Sequence, residues 1–238
     1  MRAMTCGVLL GSPLVAFMVF RRGVDGYPAD PTAAAVQTDP DEYTKQVSYS
    51  RADQTLVYGD AASLRGGRSP LLDDADYRKF VESMPIVCVD VLLTREDGSV
   101  LLVKRHSEPV RGLFWFPGGR LLMRETFFEA ARRKLKKEVG LRETSACRVL
   151  GTWNTLFQKS AWGGPTQTVN VLVHVKSSDR RTTSGLHICG DQRGRCGDGD
   201  FGSFKWVSPD LVHGEDTYIL EGLAKLREST RSGAACDT

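Results

Sequence analysis

Apolar positions along the chain first follow a strand–turn–strand pattern and then a helical one. Ile86–Thr94 is an apolar run of strand length, rich in β-branched residues. Glu96-Asp97-Gly98 predicts a hairpin turn, and Val100–Lys104 returns as the partner strand. His106–Arg111 reads as a loop. Leu113–Phe116 reads as a short strand that stops at Pro117, which has no N–H for a sheet ladder. Gly118 and Gly119 then allow a sharp bend and close approach of bare backbone to a ligand. From about Thr126 to Val139 the period becomes helical. Phe127, Phe128, Ala131 and Leu135 fall mostly to one side, and Arg132, Arg133, Lys134, Lys136 and Lys137 to the other. Gly140 suits a C-terminal cap.

Strands are expected again at Arg148–Phe157, Thr168–Val175 and Phe204–Val207. Ser208 and Pro209 predict the opening of a helical turn, and Tyr218–Arg227 a terminal helix. A short helix is expected over Asp76–Glu82.

Elsewhere no period is sustained. Residues 7–20 are mostly apolar and precede Arg21-Arg22, but Pro13 interrupts the run. It falls short of the roughly 20 residues a spanning helix needs. Residues 1–22 are read as a hydrophobic segment for targeting or weak membrane contact, or else as a poorly ordered extension. Residues 23–70 offer few large apolar side chains to offset the entropy of ordering, and read as a linker or disordered arm. The folded domain is expected over 71–230. A Gly-, Arg- and Asp-rich insertion loop at about 177–200 interrupts it, and a tail covers 231–238.

Composition changes this picture little. The 238 residues are 41% apolar and 26% charged, as in an ordinary globular protein, and the net charge of +3 argues for no nucleic-acid partner. The cytoplasm is the expected compartment, and a homodimer is among the expectations. Six cysteines are scattered without Cys-x-x-Cys spacing. Cys88 and Cys147 sit in apolar runs and read as core thiols. Cys189 and Cys196 could bridge in an oxidising compartment, with two free loop thiols as the plainer reading.

The stretch from Gly119 to Leu141 resembles the Nudix box. That pattern is Gly, five residues, Glu, seven residues, then Arg-Glu-aliphatic-any-Glu-Glu-any-Gly-aliphatic. Gly119, Glu125, Arg133, Leu135, Glu138, Gly140 and Leu141 fill their positions, whereas Lys134 and Lys137 stand where the family has Glu. The resemblance implies an α/β Nudix fold, an α/β/α sandwich with a mixed β-sheet and a loop–helix–loop motif. It also implies Mg²⁺, with Mn²⁺ as an alternative, held by box carboxylates. Positions 134, 137 and 138 have the i, i+3, i+4 spacing of one helix face. A protonated Lys cannot ligate Mg²⁺, so one ion on Glu138, helped by a carbonyl at Gly118, is what the sequence leaves. A plain Lys134–Glu138 pair on a solvated helix is the competing reading.

The GDP-mannose mannosyl hydrolase branch of the family is similar to this chain beyond the box. The shared features are Asp90 in an apolar strand, Lys104-Arg105, Pro109, Pro117-Gly118-Gly119-Arg120 and Trp206–Leu211. The resemblance implies hydrolysis of a nucleoside diphosphate-linked sugar at the anomeric carbon with inversion. Arg120 and Arg105 would grip the diphosphate. Asp90 would hold a sugar hydroxyl or orient an Arg. Glu125 and Arg133 would form a structural salt bridge. The branch's His base has no counterpart: its position falls at Phe201, and the four His are at 106, 174, 187 and 213. His106 and His174 read as structural, and Asp200 is the candidate ligand or base. Trp162, in a Gly-rich loop, either stacks on a base or packs structurally. Two other readings stay open: nucleotide or partner binding without turnover, and pyrophosphohydrolysis of another nucleotide.

Overall fold

The strand Ile86–Thr94 lies at the centre of the main sheet, with three strands paired to it. The computed structural model describes residues 47–58, 72–178, 186, 188, 202–231 and 236, all within one unit spanning Asp39–Thr238. In chain order the elements are β1 (Val47–Ser50), β2 (Thr55–Tyr58), α1 (Asp74–Ser83), β3 (Ile86–Thr94), β4 (Val100–Lys104), β5 (Phe114–Trp115) and β6 (Gly118–Arg120). Next come α2 (Phe127–Lys134), continued by one π-helical turn over Leu135–Val139, then β7 (Thr144–Phe157), β8 (Thr166–Ser177), β9 (Phe204–Val207) and α3 (Thr217–Arg231).

The main sheet runs β5-β4-β3-β8-β7, with β6 also pairing β3 and β9 also pairing β4. β3 and β8 are parallel, from Ile86 opposite Thr168 to Thr94 opposite Lys176, and the other pairings are antiparallel. Alternate residues of β3 face opposite layers. Val89, Val91 and Leu93 pack with Val171 and Val173 against Ala130, Ala131, Leu135 and Val139 of the α2 segment. Leu92 and Leu172 pack with Phe116 against Tyr218, Ile219 and Leu223 of α3. Each such fully buried aliphatic side chain contributes roughly 1.5–3 kcal/mol. Two covered faces explain why β3 reads as an apolar run rather than an alternating one. The expected α/β/α sandwich with a mixed sheet is the observed fold.

Three expectations are corrected. Part of the stretch read as linker, 47–58, forms the β1–β2 hairpin. Its turn residue Asp53 is buried and accepts a hydrogen bond from the Phe128 N–H at 3.0 Å, adding a cap to the start of α2. The strands are four residues long, and Tyr49 and Leu56 are exposed, so no apolar stripe announces them. Cys147, read as a core thiol, is bonded to Cys236 of the tail, 89 residues away, a pairing that spacing does not reveal. Ser208 and Pro209 make a turn rather than a helical turn, and Asp216 accepts from the Tyr218 N–H at 2.9 Å where α3 begins. Residues 1–46, Cys189 and Cys196 lie outside the described residues, as does most of the 177–200 insertion.

Candidate functional site

Two adjacent glycines set the geometry. Gly118–Arg120 is strand β6, hydrogen-bonded beside Cys88–Asp90 of β3. A Cβ on Gly118 would lie 2.4 Å from Asp90 Oδ1 and 2.5 Å from the Val89 carbonyl oxygen, so only glycine fits. Gly119 has φ +149°, and a Cβ there would lie 2.6 Å from Lys134 Nζ. The bare backbone is thus brought against a carboxylate on one side and an ammonium on the other.

The α2 segment supplies that ammonium. Thr126 and Glu129 form a reciprocal capping box, with hydrogen bonds of 3.2 Å and 2.7 Å. After Lys134 the helix widens into the π turn, which ends at Gly140 with φ 76°. Lys134 Nζ donates to Glu138 Oε1 at 2.9 Å, and the Gly118 N–H donates to Glu138 Oε2 at 3.2 Å. Lys134 is 6% exposed and Glu138 7%. The pair forms as the helical spacing predicts, but in the interior rather than on a solvated face. Lys137 does not join it and is exposed.

Asp90 lies on the other side of the bend. Its Oδ2 accepts from Asn170 Nδ2 at 2.8 Å and from the Tyr218 hydroxyl at 2.9 Å. Burial raises its pKa, and the two hydrogen bonds and the Arg105 charge only partly reverse that. Burial also pushes up the Tyr218 hydroxyl, reinforced by the Asp90 charge. Arg105 donates from Nε to the Pro109 carbonyl at 2.7 Å. Its guanidinium is lowered by desolvation, against which the Asp90 and Glu138 charges work. Cys88, pushed up to about 12 chiefly by burial, remains a thiol among Asp90, Lys134, Arg105 and Arg120.

Arg120 stacks over the Tyr77 ring at 4.0 Å, and Tyr77 meets Trp162 edge-on at 5.3 Å. Trp162 is therefore packed against protein, the second of its two expected roles. Behind this wall, Arg133 donates from Nε and Nη2 to the two oxygens of Glu125, and from Nη2 to the Arg120 carbonyl at 3.0 Å. Burial works to raise the Glu125 carboxyl, but the Arg133 and Leu122 hydrogen bonds and the charges of Arg133 and Lys134 hold it below its ordinary value. This bidentate pair ties loop, helix and β6 together.

Of the residues singled out by sequence, Asp90, Arg105, Gly118, Gly119 and Glu138 converge, with Arg120 at their edge. Gly140 closes the helix, Glu125 and Arg133 brace it, and Asp200 lies outside the described residues. His174 is buried, with Nε2 3.0 Å from Thr94 Oγ1, and desolvation lowers its pKa to about 4, as suits a structural histidine. Sequence reasoning passed over Asn170, Tyr218 and Tyr77. Asn170 had a signal, a lone amide within the apolar strand Val169–Val173.

The donor set does not fit a resident Mg²⁺ or Mn²⁺. Magnesium demands octahedral oxygen donors, yet both Glu138 oxygens already accept hydrogen bonds, one of them from a cation. Among the described residues, the potential metal donors that converge in a group of three are Cys147, His174 and Cys236, where the two sulfurs are bonded to each other. The expectation of one ion on Glu138 and Gly118 took that carboxylate as available. The competing expectation, a Lys134–Glu138 pair, is the one observed, buried rather than solvated.

Over 89 residues the chain is 35% identical to the low-salt glycan biosynthesis protein Agl8 of Haloferax volcanii, covering 37% of this chain and 56% of that protein. It is 40% identical over 65 residues to an ADP-ribose pyrophosphatase of Methanocaldococcus jannaschii, covering 27% of this chain and 37% of that one. The matched segments thus span about half or less of these curated relatives. Among solved structures, the MutT protein of Methanosarcina mazei Go1 is similar with TM-score 0.48 and 16% identity, over 63% of this chain and 98% of that one. The NUDIX domain family's sequence profile matches residues 84–226, more than half of the chain, and the protein belongs to that family.

Proposed function

We propose that the protein hydrolyses a nucleoside diphosphate linked to a sugar, of the GDP-mannose kind, releasing the free sugar and the nucleoside diphosphate. The observation that carries this reading is the gathering of Arg105, Arg120 and Lys134 around a glycine bend, with Asp90, Glu138, Glu125 and Glu108 among the carboxylates that act on these cations. Such a cluster of guanidinium and ammonium donors beside bare backbone suits a diphosphate. The names of the two curated relatives, one for glycan biosynthesis and one for ADP-ribose, are in keeping with a sugar-linked substrate.

In this reading water adds its oxygen to the anomeric carbon. The bond from that carbon to the diphosphate oxygen breaks, and the diphosphate leaves with the electron pair. Arg120 and Arg105 stabilise the charge that develops on it. Asp90, held by Asn170 and Tyr218, orients Arg105 or takes a sugar hydroxyl. A base must accept the proton from water, and Asp200 is the candidate. Because the donor set does not fit a metal, no step is assigned to one.

The second reading, binding without turnover, is favoured by the buried Lys134–Glu138 pair, which holds the remaining box carboxylate in an ion pair. Product analysis after incubation with GDP-mannose separates the readings. Mannose plus GDP, with inversion seen by proton NMR, supports the first. Binding of intact substrate supports the second. Mannose 1-phosphate plus GMP would instead mean attack at phosphorus.

A further inference from the structure

We infer that Lys134 supplies, as a fixed ammonium, the positive charge for which the fold otherwise recruits a divalent ion, so that the site binds a diphosphate group without metal. The inference rests on the diphosphate reading above and deepens it. Lys134 replaces a box carboxylate, and its side chain does not escape to solvent as a surface lysine would. It turns inward until Nζ lies 2.9 Å from Glu138 Oε1 and 2.6 Å from where a Gly119 Cβ would be. A buried ammonium is costly unless it is paired, and Glu138 meets that cost.

An ammonium has three N–H donors. Among the described residues Nζ donates to Glu138 alone, which leaves two donors for ligand oxygens at the glycine bend. Lys134, Arg105 and Arg120 all act electrostatically on the Cys88 thiol. A divalent ion on Glu138 would have to displace Lys134 from Oε1 and then sit beside its charge. A pyrophosphate carries the opposite charge and is drawn to all three cations. The same residue that blocks the metal therefore serves the ligand.

The test uses the full chain and two probes, inorganic pyrophosphate and GDP, by calorimetric titration in EDTA and in Mg²⁺. Mn²⁺ binding is read separately from the loss of the free-ion EPR signal. The wild-type chain is expected to bind both probes in EDTA at least as tightly as in Mg²⁺, which itself complexes part of the free probe, and to leave Mn²⁺ free. Lys134→Gln is expected to weaken both probes by about tenfold or more, the loss of one charge-assisted contact. Lys134→Glu is expected to lose metal-free binding and to gain Mn²⁺. Should these variants fail to fold, the wild-type measurements still decide. Mn²⁺ binding by the wild-type chain that Glu138→Gln abolishes overturns the inference, as does probe binding that requires metal; either leaves the diphosphate reading standing. If neither probe binds in either buffer, the diphosphate reading fails and the inference with it.

Discussion

The hydroxyl of Tyr218 donates to Asp90 Oδ2 at 2.9 Å, joining the last helix to the central strand across 128 residues of chain. The ring of Tyr218 is stacked on Trp115 at 5.0 Å and meets Phe116 and Trp153 edge-on. One residue thus belongs to the core by its ring and to the site by its oxygen.

Tyr218→Phe keeps the ring contacts and removes one of the two neutral donors to Asp90. The expected loss of stability is about 1–3 kcal/mol, the cost of leaving a buried acceptor short of a partner. Urea unfolding of the variant against the wild-type chain measures it.

Gly118→Ala must push a methyl group into Asp90 Oδ1 and the Val89 carbonyl, and backbone cannot yield as a flexible side chain can. A loss of about 2 kcal/mol or more is expected. Gly164→Ala, where a Cβ meets nothing within 4 Å, is the control and is expected to leave the melting temperature nearly unchanged.

His174 gives a pH dependence whose sign can be worked out. Its folded pKa is lowered from 6.5 to about 4 by burial. Between those values the unfolded chain takes up a proton that the folded chain refuses, so stability is full above pH 6.5 and falls as pH drops towards 4. The loss approaches roughly 3 kcal/mol from this group. Urea midpoints at pH 7, 5.5 and 4.5 are expected to converge between wild type and His174→Gln as the pH falls. Parallel curves would mean that His174 does not refuse the proton.

Arg133→Ala removes the bidentate partner of Glu125 and a donor to the Arg120 carbonyl. Both side chains are partly exposed, so the expected cost is moderate, about 1–3 kcal/mol. A double-mutant cycle with Glu125→Ala is expected to give a coupling of about 1 kcal/mol or more. A structural role predicts that turnover per folded molecule changes little in either variant.

Much of the fold was legible because burial on both faces writes itself into composition. β3 and β8 read as apolar runs, and α2 shows its inward stripe. The box glycines and the Glu125–Arg133 pair were legible as well, through the resemblance of Gly119–Leu141 to the Nudix box. What escaped depends on long-range contact. Asp90 meets Asn170 and Tyr218 only because β3, β8 and α3 converge, and no local pattern encodes a partner 80 or 128 residues away. The inward turn of Lys134 escaped for another reason. Its spacing from Glu138 is the same on a wet face as on a dry one, and only the packing of β6 against the helix decides between them.

The parallel pairing of β3 with β8 bears on the order of assembly. The β3–β4 turn and the α2 helix can form from neighbouring residues, whereas Asp90 reaches Asn170 only after a loop of 80 residues has closed. Closing that loop costs entropy before any contact repays it. Nascent chains should therefore acquire helical signal early and ligand-binding competence late, and a refolding time course followed by both probes should show the two phases out of step.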